Sequence, residues 1–246
     1  MEKHTFQIWS PQLRNRRTVD VYLPESYGVG RLRYPVVYIH DGQNLSDPAI
    51  AFGGTTWQLE GALARLRIRG IEPIVVGLHN TGESRLAEYS PFPDQRHGGG
   101  EGQRYVRFLA DTLKPRIDAQ YRIRKDRDHT ATLGSSMGGL ISLYAFFVRP
   151  SPFGRVGVMS PSIWFGQRRI LEFVEQARYT RGRVYVDVGT GEGTDTVRNT
   201  RTLVRLLRDK GHQSKGSLRY VEATGHRHTE ADWARRLPAA LEFLLT

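Results

Sequence analysis

Hydrophobic and polar residues follow two different patterns along this chain. Near the N-terminus, residues 5–9 and 18–23 alternate between polar and apolar side chains, with Pro11 and Asn15 between the two segments. Such alternation is typical of strands that keep one face in solvent. We therefore predict an antiparallel hairpin at the edge of a sheet.

Continuous apolar segments follow, and they are short and rich in β-branched residues, as buried parallel strands are. These segments are 36–39, 73–78, 130–133, 156–159 and 184–186. Between them, helical spacing marks residues 57–67, 103–121, 137–148, 168–178, 196–210 and 231–245. This alternation predicts an α/β fold with a mostly parallel central sheet and helices on both faces. We expect residues 1–246 to form one domain, because a chain of this length is short for two full domains.

Residues 80–102 fit neither pattern and are rich in glycine, proline and charge. A loop of this length inside a compact domain is usually functional. We expect either a wall of a binding pocket or an inert surface excursion.

The composition excludes several kinds of site. The chain has no cysteine, so disulfides, thiolate nucleophiles and cysteine-ligated metals are excluded. No apolar segment reaches the length of a secretory signal or a membrane span, so we expect a cytoplasmic protein with no membrane partner. No pattern indicates an oligomeric state.

The net charge of +11 raises the hypothesis of a nucleic-acid partner. However, the 31 arginines and five lysines are scattered, and the densest basic segment is only residues 14–17. This distribution favours a solvated surface, and we expect no nucleic-acid partner.

A candidate nucleophile lies in residues 134–138, which fit the pattern G-x-S-x-G. The bare pattern is weak, but an apolar segment leads into it and a helical segment leads out. A sharp strand-to-helix turn needs glycine-like residues two positions before and after the nucleophile. Gly134 and Gly138 meet this need for Ser136, whereas Ser135 has no such neighbours. Ser136 is therefore the predicted nucleophile, and a serine that only caps the helix is the alternative.

The partners of such a serine follow it in the order acid, then histidine. Among the later histidines, His212 lies in a turn after a helix. His226 and His228 lie between the last strand-like segment and the last helix. Thr229 can cap that helix and so anchor the backbone of His228. We predict His228 as the general base, with His226 as the alternative.

The acid is expected in the loop after the strand that contains residues 184–186. Glu192 and Asp195 lie in this loop, whereas Asp187 lies within the strand itself. We predict Glu192 as the acid and keep Asp195 as the second choice. A loop carboxylate without any role is the remaining alternative.

An oxyanion needs two positioned donors. The backbone N–H of Met137, which follows the nucleophile, is one predicted donor. The second is expected in the loop after strand 36–39, where we predict the Gln43 N–H, with Gly42 next. A simple turn at residues 41–42 is the alternative.

Together, residues 34–44, 134–139, 187–192 and 228–233 resemble the putative esterase family. That family includes esterase D, enterochelin-type siderophore esterases, feruloyl esterases and mycolyltransferases. The resemblance implies an α/β-hydrolase fold with Ser136, Glu192 and His228 as its catalytic residues. It also implies that Arg85 faces the substrate pocket, unless it forms only a structural salt bridge, and that Trp164 either lines the pocket or packs in the core.

The chain also departs from parts of this family. These 246 residues contain no cysteine, and we expect neither the large N-terminal domain of enterochelin esterases nor the secretion signal of mycolyltransferases. We therefore expect a small serine carboxylesterase that forms an acyl-enzyme with small ester substrates and needs no metal or organic cofactor. The alternatives are an acyltransferase that uses the same residues and a non-catalytic basic binding protein.

Overall fold

The computed structural model of the chain describes residues 1–213 and 216–246. Its strands are β1 (Glu2–Ser10), β2 (Asn15–Leu23), β3 (Val36–His40), β4 (Ile74–Leu78), β5 (Pro93–Asp94), β6 (Gly98–Gly99), β7 (Thr130–Ser135), β8 (Arg155–Met159), β9 (Arg183–Gly189) and β10 (Leu218–Ala223). Its helices are α1 (Leu59–Ile68), α2 (Arg85–Glu88), α3 (Gly102–Phe108), α4 (Lys114–Gln120), α5 (Met137–Val148), α6 (Arg169–Gln176), α7 (Thr194–Asp209) and α8 (Glu230–Leu245). None of the helices in these two ranges is long and apolar enough to cross a bilayer.

The main sheet of the described chain has eight strands in the order β1-β2-β4-β3-β7-β8-β9-β10. Strands β1 and β2 form the predicted antiparallel hairpin, and β2 also pairs antiparallel with β4. Within this sheet the remaining pairings, from β4 through β3, β7, β8 and β9 to β10, are parallel, and β5 and β6 form a separate antiparallel pair. The predicted α/β fold with a mostly parallel sheet and an N-terminal hairpin is therefore confirmed.

Apolar side chains alternate between the two faces of the sheet and build a core on each. On one face, Val37, Ile39 and Leu133 pack with residues of α1 and α8. On the other, Val36 and Tyr38 pack with residues of α3, α5, α6 and α7. Because both faces are covered, the central strands are apolar throughout, as the continuous segments predicted.

The predicted helix over residues 103–121 is interrupted. A π-helical segment, Leu109–Leu113, separates α3 from α4. Pro115 has no N–H, and its ring would collide with the carbonyl group four residues earlier. The wider π turn accommodates the proline without breaking the helical path.

The parallel strands bring several loops to one edge of the sheet. His40, Ser135 and Gly189 are the last residues of β3, β7 and β9. Because the carboxyl ends of parallel strands share an edge, the residues that follow these three lie close together in space. This edge is where α/β folds bind their ligands.

Candidate active site

Ser136 lies on a sharp turn between β7 and α5. Its backbone has φ 56° and ψ −121°, which is strained for a residue with a side chain. A Cβ atom on Gly134 would lie 2.6 Å from the carbonyl carbon of Gly138, so these two backbones touch. A Cβ on Gly138 would lie 3.2 Å from the Cβ of His40. The glycine spacing in the sequence therefore reflects a real close approach around Ser136.

Ser136, His228 and Glu192 form one chain of hydrogen bonds. Ser136 Oγ lies 2.9 Å from His228 Nε2. On the other side of the ring, His228 Nδ1 lies 2.8 Å from Glu192 Oε2. The carboxylate is 1% exposed, whereas the imidazole is 41% exposed at the edge of a cavity. The structure thus brings together the three residues that the sequence nominated.

The carboxylate of Glu192 is surrounded by donors. Its Oε1 atom accepts a hydrogen bond of 2.6 Å from the Ser160 hydroxyl and one of 2.8 Å from the Gly189 N–H. Burial opposes ionisation of Glu192, but the hydrogen bonds from His228, Ser160 and Gly189 outweigh it and hold the pKa of Glu192 below its ordinary value. The group is therefore an ionised acceptor at neutral pH.

The alternative acid and base lie elsewhere. Asp195 is 77% exposed and pairs with Arg198 at 2.6 Å. The ring of His226 faces Asp232, with Nδ1 3.6 Å from the carboxylate, and has no contact with Ser136 among the described hydrogen bonds. The geometry favours Glu192 over Asp195 and His228 over His226.

The start of α8 holds His228 in place. Thr229 is the N-cap of this helix, and its Oγ1 accepts a hydrogen bond of 3.3 Å from the Asp232 N–H. The indole of Trp233 packs edge-on against the His228 ring, with 4.9 Å between the ring centres. The predicted cap is confirmed, and it fixes the backbone beside the imidazole.

A cavity of about 300 Å³ opens beside Ser136 and His228. Its wall includes Gln43 and Phe52 from the connection between β3 and α1, and Asn80 and Arg85 from the connection after β4. The first part of the loop over residues 80–102 therefore forms a pocket wall, one of its two predicted roles.

The turn after β3 places backbone donors at this cavity. Asp41 has φ 57°, and residues Gly42–Asn44 form a single 3-10 turn. A Cβ on Gly42 would lie 2.4 Å from the backbone of Gly77, so only glycine fits there. Gln43 and Met137 each lie in the first turn of a helical segment, where an N–H has no intrahelical acceptor. Both amides are therefore available as donors.

Arg85 combines its two predicted alternatives, a salt bridge and a place in the pocket wall. Its guanidinium binds the Asp41 carboxylate through two hydrogen bonds, Nε to Oδ1 at 2.8 Å and Nη2 to Oδ2 at 2.7 Å. It also lines the cavity. Burial alone would lower the pKa of Arg85, but the bonds to Asp41 raise it above its ordinary value. The arginine is thus a charged wall residue whose position Asp41 fixes.

Trp164 does not pack in the core, which was one of its two predicted positions. Its side chain is 52% exposed and packs edge-on against His97, with 5.7 Å between the ring centres. It is not among the residues that line the cavity. Packing in the core is therefore wrong for Trp164, and its place at the pocket stays a prediction.

Three polar side chains near this site were not predicted: Ser160, Ser162 and Arg236. Ser162 Oγ lies 2.9 Å from Ser136 Oγ, and Arg236 Nη2 lies 2.9 Å from Ser160 Oγ. The two serines follow β8 at the same sheet edge as Ser136, and this position was the available signal. Arg236 lies on α8 and carries no local pattern that marks it.

Comparisons with known proteins agree with this architecture. A family model described as putative esterase matches residues 10–244. YbbA, an uncharacterized protein of Bacillus subtilis, is 28% identical over 243 residues, which cover 94% of this chain and 92% of YbbA. The ferri-bacillibactin esterase BesA of Bacillus subtilis is 30% identical over 180 residues, which cover 65% of this chain and 60% of BesA.

A solved structure shows the same fold. The BES protein from Bacillus cereus superposes with a TM-score of 0.80 at 21% identity, over 99% of this chain and 95% of that one. The family model covers nearly the whole chain, and the strand-to-helix serine turn lies inside the matched range. The chain therefore belongs to the putative esterase family and is a carboxylic ester hydrolase of the α/β-hydrolase fold.

Proposed function

We propose that this protein is a serine carboxylesterase that hydrolyses small esters through an acyl-enzyme on Ser136. The observation that carries the proposal is the chain of hydrogen bonds from Ser136 Oγ to His228 Nε2 and from His228 Nδ1 to Glu192 Oε2. A serine hydroxyl becomes a useful nucleophile only when a positioned base removes its proton. His228 is that base, and Glu192 orients it and stabilises its protonated form.

In the first half-reaction, Ser136 Oγ attacks the ester carbonyl while its proton moves to His228 Nε2. The negative charge that develops on the carbonyl oxygen is stabilised by the N–H groups of Gln43 and Met137. His228 then protonates the departing alcohol, which leaves Ser136 acylated.

In the second half-reaction, water takes the place of the alcohol. His228 accepts a proton from water as the water oxygen bonds to the acyl carbon. The C–Oγ bond then breaks, Ser136 regains its proton from His228, and the carboxylic acid leaves.

The size of the cavity, more than the reaction itself, limits which esters can bind. At about 300 Å³, it lies at the lower end of the range for small-molecule sites. BesA is a ferri-bacillibactin esterase by name. For this chain we propose small esters, with the acyl or alcohol part beside Phe52, Asn80 and Arg85.

The experiment that tests this proposal compares two adjacent serines. Ser136→Ala should abolish hydrolysis of p-nitrophenyl acetate and labelling by a fluorophosphonate probe, because the attacking oxygen is gone. Ser135→Ala should keep both activities, since Ser135 belongs to β7 and is 2% exposed. Both reactions are measured on variants whose circular dichroism matches that of the parent.

Labelling that persists in Ser136→Ala, or that is lost only in Ser135→Ala, would refute the assignment of the nucleophile. Product analysis in the presence of added alcohols separates hydrolysis from acyl transfer, because an acyltransferase yields mainly the new ester.

A further inference from the structure

The oxygen of Ser136 has a second hydrogen-bond neighbour that the mechanism above does not use. Ser162 Oγ lies 2.9 Å from Ser136 Oγ. The Ser162 side chain is 4% exposed, so water does not compete freely for its hydroxyl. A hydroxyl in this position contacts the reacting atom itself.

Backbone hydrogen bonds fix the loop that carries Ser162. The Ser162 N–H donates to the Ser136 carbonyl at 3.1 Å, and the Phe165 N–H donates to the Ser162 carbonyl at 3.1 Å. Before Ser162, the Ser160 N–H donates to the Asp187 carbonyl at 2.9 Å. The Ser162 hydroxyl is thus held against the nucleophile by structure on both sides of it.

The charge on Glu192 determines whether Ser136 or Ser162 donates the hydrogen bond between their two hydroxyl groups. An ionised Glu192 can only accept, so His228 Nδ1 carries the ring proton and Nε2 is an acceptor. The single hydroxyl hydrogen of Ser136 is then used toward His228 Nε2, at 2.9 Å. The hydrogen between the two serines must come from Ser162.

We propose that Ser162 is a catalytic residue for deacylation, in which its hydroxyl donates to Ser136 Oγ as that oxygen leaves the acyl carbon. The proposal rests on the proposed function of Ser136 as the acylated nucleophile.

The bond from Ser162 changes strength along the reaction. In the acyl-enzyme, Oγ is an ester oxygen and a weak acceptor. When the C–Oγ bond breaks, the electron pair stays on Oγ, which carries negative charge until His228 protonates it. Donation to a charged oxygen is stronger than donation to a neutral one, so the bond stabilises this transition state more than the acyl-enzyme. In the free enzyme the acceptor is a hydroxyl oxygen, which accepts better than an ester oxygen, so the ground state is already stabilised and the attack gains less from the bond than deacylation does.

Pre-steady-state hydrolysis of p-nitrophenyl acetate tests this asymmetry. The rapid release of p-nitrophenol reports acylation, and the later steady rate reports deacylation. Ser162→Ala should lower the deacylation rate on the order of tenfold, as expected for one hydrogen bond, while the acylation rate stays within about twofold. Ser162→Thr keeps a hydroxyl and should restore the steady rate.

Ser10→Ala is the matched control, because Ser10 is also a buried serine but lies on β1, where its hydroxyl accepts from the Leu13 N–H. It should leave both phases unchanged. Unchanged phases in Ser162→Ala, or an equal fall in both, would overturn the proposal, since an equal fall indicates a purely structural role.

Two further variants keep the test decisive. If Ser162→Ala does not fold, Ser162→Cys retains nearly the same shape with a weak S–H donor and should show the slow deacylation. Normal deacylation in a folded Ser162→Cys then overturns the proposal. Ser136→Ala must abolish the burst in the same assay, and a burst that remains there would refute the proposed nucleophile instead of the role of Ser162.

Discussion

Ser160 connects the carboxylate beside His228 to a second, deeply buried ion pair. Its hydroxyl donates to Glu192 Oε1 at 2.6 Å and accepts from Trp233 Nε1 at 3.0 Å and Arg236 Nη2 at 2.9 Å. Arg236 Nη1 also lies 3.1 Å from the Asp187 carboxylate. Burial raises the pKa of Asp187 to about 6, even though Arg236 acts in the opposite direction. The orientation of Glu192 is thus supported by Ser160, Trp233 and Arg236, each 5% exposed or less.

The role of Glu192 can be separated from that of its exposed neighbour. Glu192→Gln should lower kcat by roughly 10³-fold to 10⁴-fold, because a neutral amide no longer stabilises the imidazolium or fixes the tautomer of His228. Asp195→Asn is the control and should keep kcat close to that of the parent, since Asp195 contacts Arg198 instead. Steady-state kinetics with p-nitrophenyl acetate measures both. The reverse ranking would transfer the role to Asp195, and small, equal effects would indicate a Ser-His dyad.

At the scale of single residues, sequence predicted what a local motif can encode. The glycines around Ser136 and the cap at Thr229 are local patterns with a physical cause, and the structure contains both. Ser162 and Arg236 reach the site through the fold, from positions 26 and 44 residues distant from their partners Ser136 and Glu192. No spacing rule connects such pairs, so the signal for Ser162 was limited to its position after β8, and Arg236 carried none.

At the scale of elements, strand-turn-helix geometry depends on one backbone contact. Gly134 lies in β7, two residues before Ser136, and Gly138 lies in the first turn of α5. The backbones of these two glycines are in contact. Their contact aligns β7 with the axis of α5, which places Ser136 at the top of the sheet. The boundaries of α5, Met137–Val148, also match the predicted helix, because the apolar segment and the turn mark both ends.

A methyl group should be enough to disturb this contact. In Gly134→Ala the added Cβ would lie 2.6 Å from the Gly138 carbonyl carbon, and the backbone there cannot move without opening the turn. We expect a loss of about 1–3 kcal/mol in the free energy of unfolding, as for other overpacked sites, together with a large loss of esterase activity. Urea denaturation and p-nitrophenyl acetate hydrolysis measure the two effects.

Gly61→Ala provides the matched control. Gly61 lies on α1, and a Cβ there would have no heavy atom within 4 Å. Alanine is a better helix former, so this variant should gain about 0.5–1 kcal/mol. An unchanged stability in Gly134→Ala would show that the two backbones are free to separate.

At the scale of the whole molecule, much of the positive charge has a structural use. Arg17 is buried and pairs with Glu88 at 2.9 Å, and Arg183 donates to the Phe243 carbonyl at 2.9 Å near the end of α8. Arg127 likewise donates to the Pro150 carbonyl at 2.8 Å. These three arginines thus bind carbonyl groups and a buried carboxylate of the chain itself. This use fits the scattered positions of the arginines along the sequence.

The protein also buries a histidine, His212, among aromatic rings. His212 is 1% exposed, and neither of its ring nitrogens has a hydrogen-bond partner among residues 1–213 and 216–246. Its ring packs against Tyr179 and Phe146, with 5.0 and 6.0 Å between the ring centres. Burial, with a smaller contribution from Lys210, lowers the pKa of His212 to about 4.

This histidine predicts a loss of stability in acid. In the unfolded chain His212 has a pKa of about 6.5 and binds a proton below that pH, whereas in the folded chain it binds a proton only near pH 4. The stability contributed by the neutral ring is therefore complete above pH 6.5 and falls as the pH drops toward 4, by about 3 kcal/mol in total. His212→Phe should remove this part of the pH dependence and stabilise the protein more at pH 5 than at pH 7.5.

Urea denaturation at the two pH values measures the difference. A gain from His212→Phe that is the same at both pH values would show that the ring does not titrate as described.

The fold as a whole was the most predictable level, because alternating apolar segments and helices leave few topologies for a parallel sheet. What the pattern could not supply was the break at residues 109–113 and the side-chain network beneath Glu192. The network depends on how distant elements meet, whereas the break has a local cause in Pro115 that helical spacing alone does not report, and neither changes the order of the elements.

The separate origins of the cavity walls have a consequence for enzyme engineering. Phe52, Asn80 and Arg85 lie on loops that do not contain Ser136, Glu192 or His228. Phe52 is 73% exposed, so a different side chain there disturbs no core packing. Codon randomisation at position 52 should therefore sample new substrate preferences at little cost in stability, whereas Asn80 donates to the buried Asp41 carboxylate at 2.7 Å and is better kept. For directed evolution, Phe52 is thus a position where selectivity can be varied without replacing any of the three proposed reacting side chains.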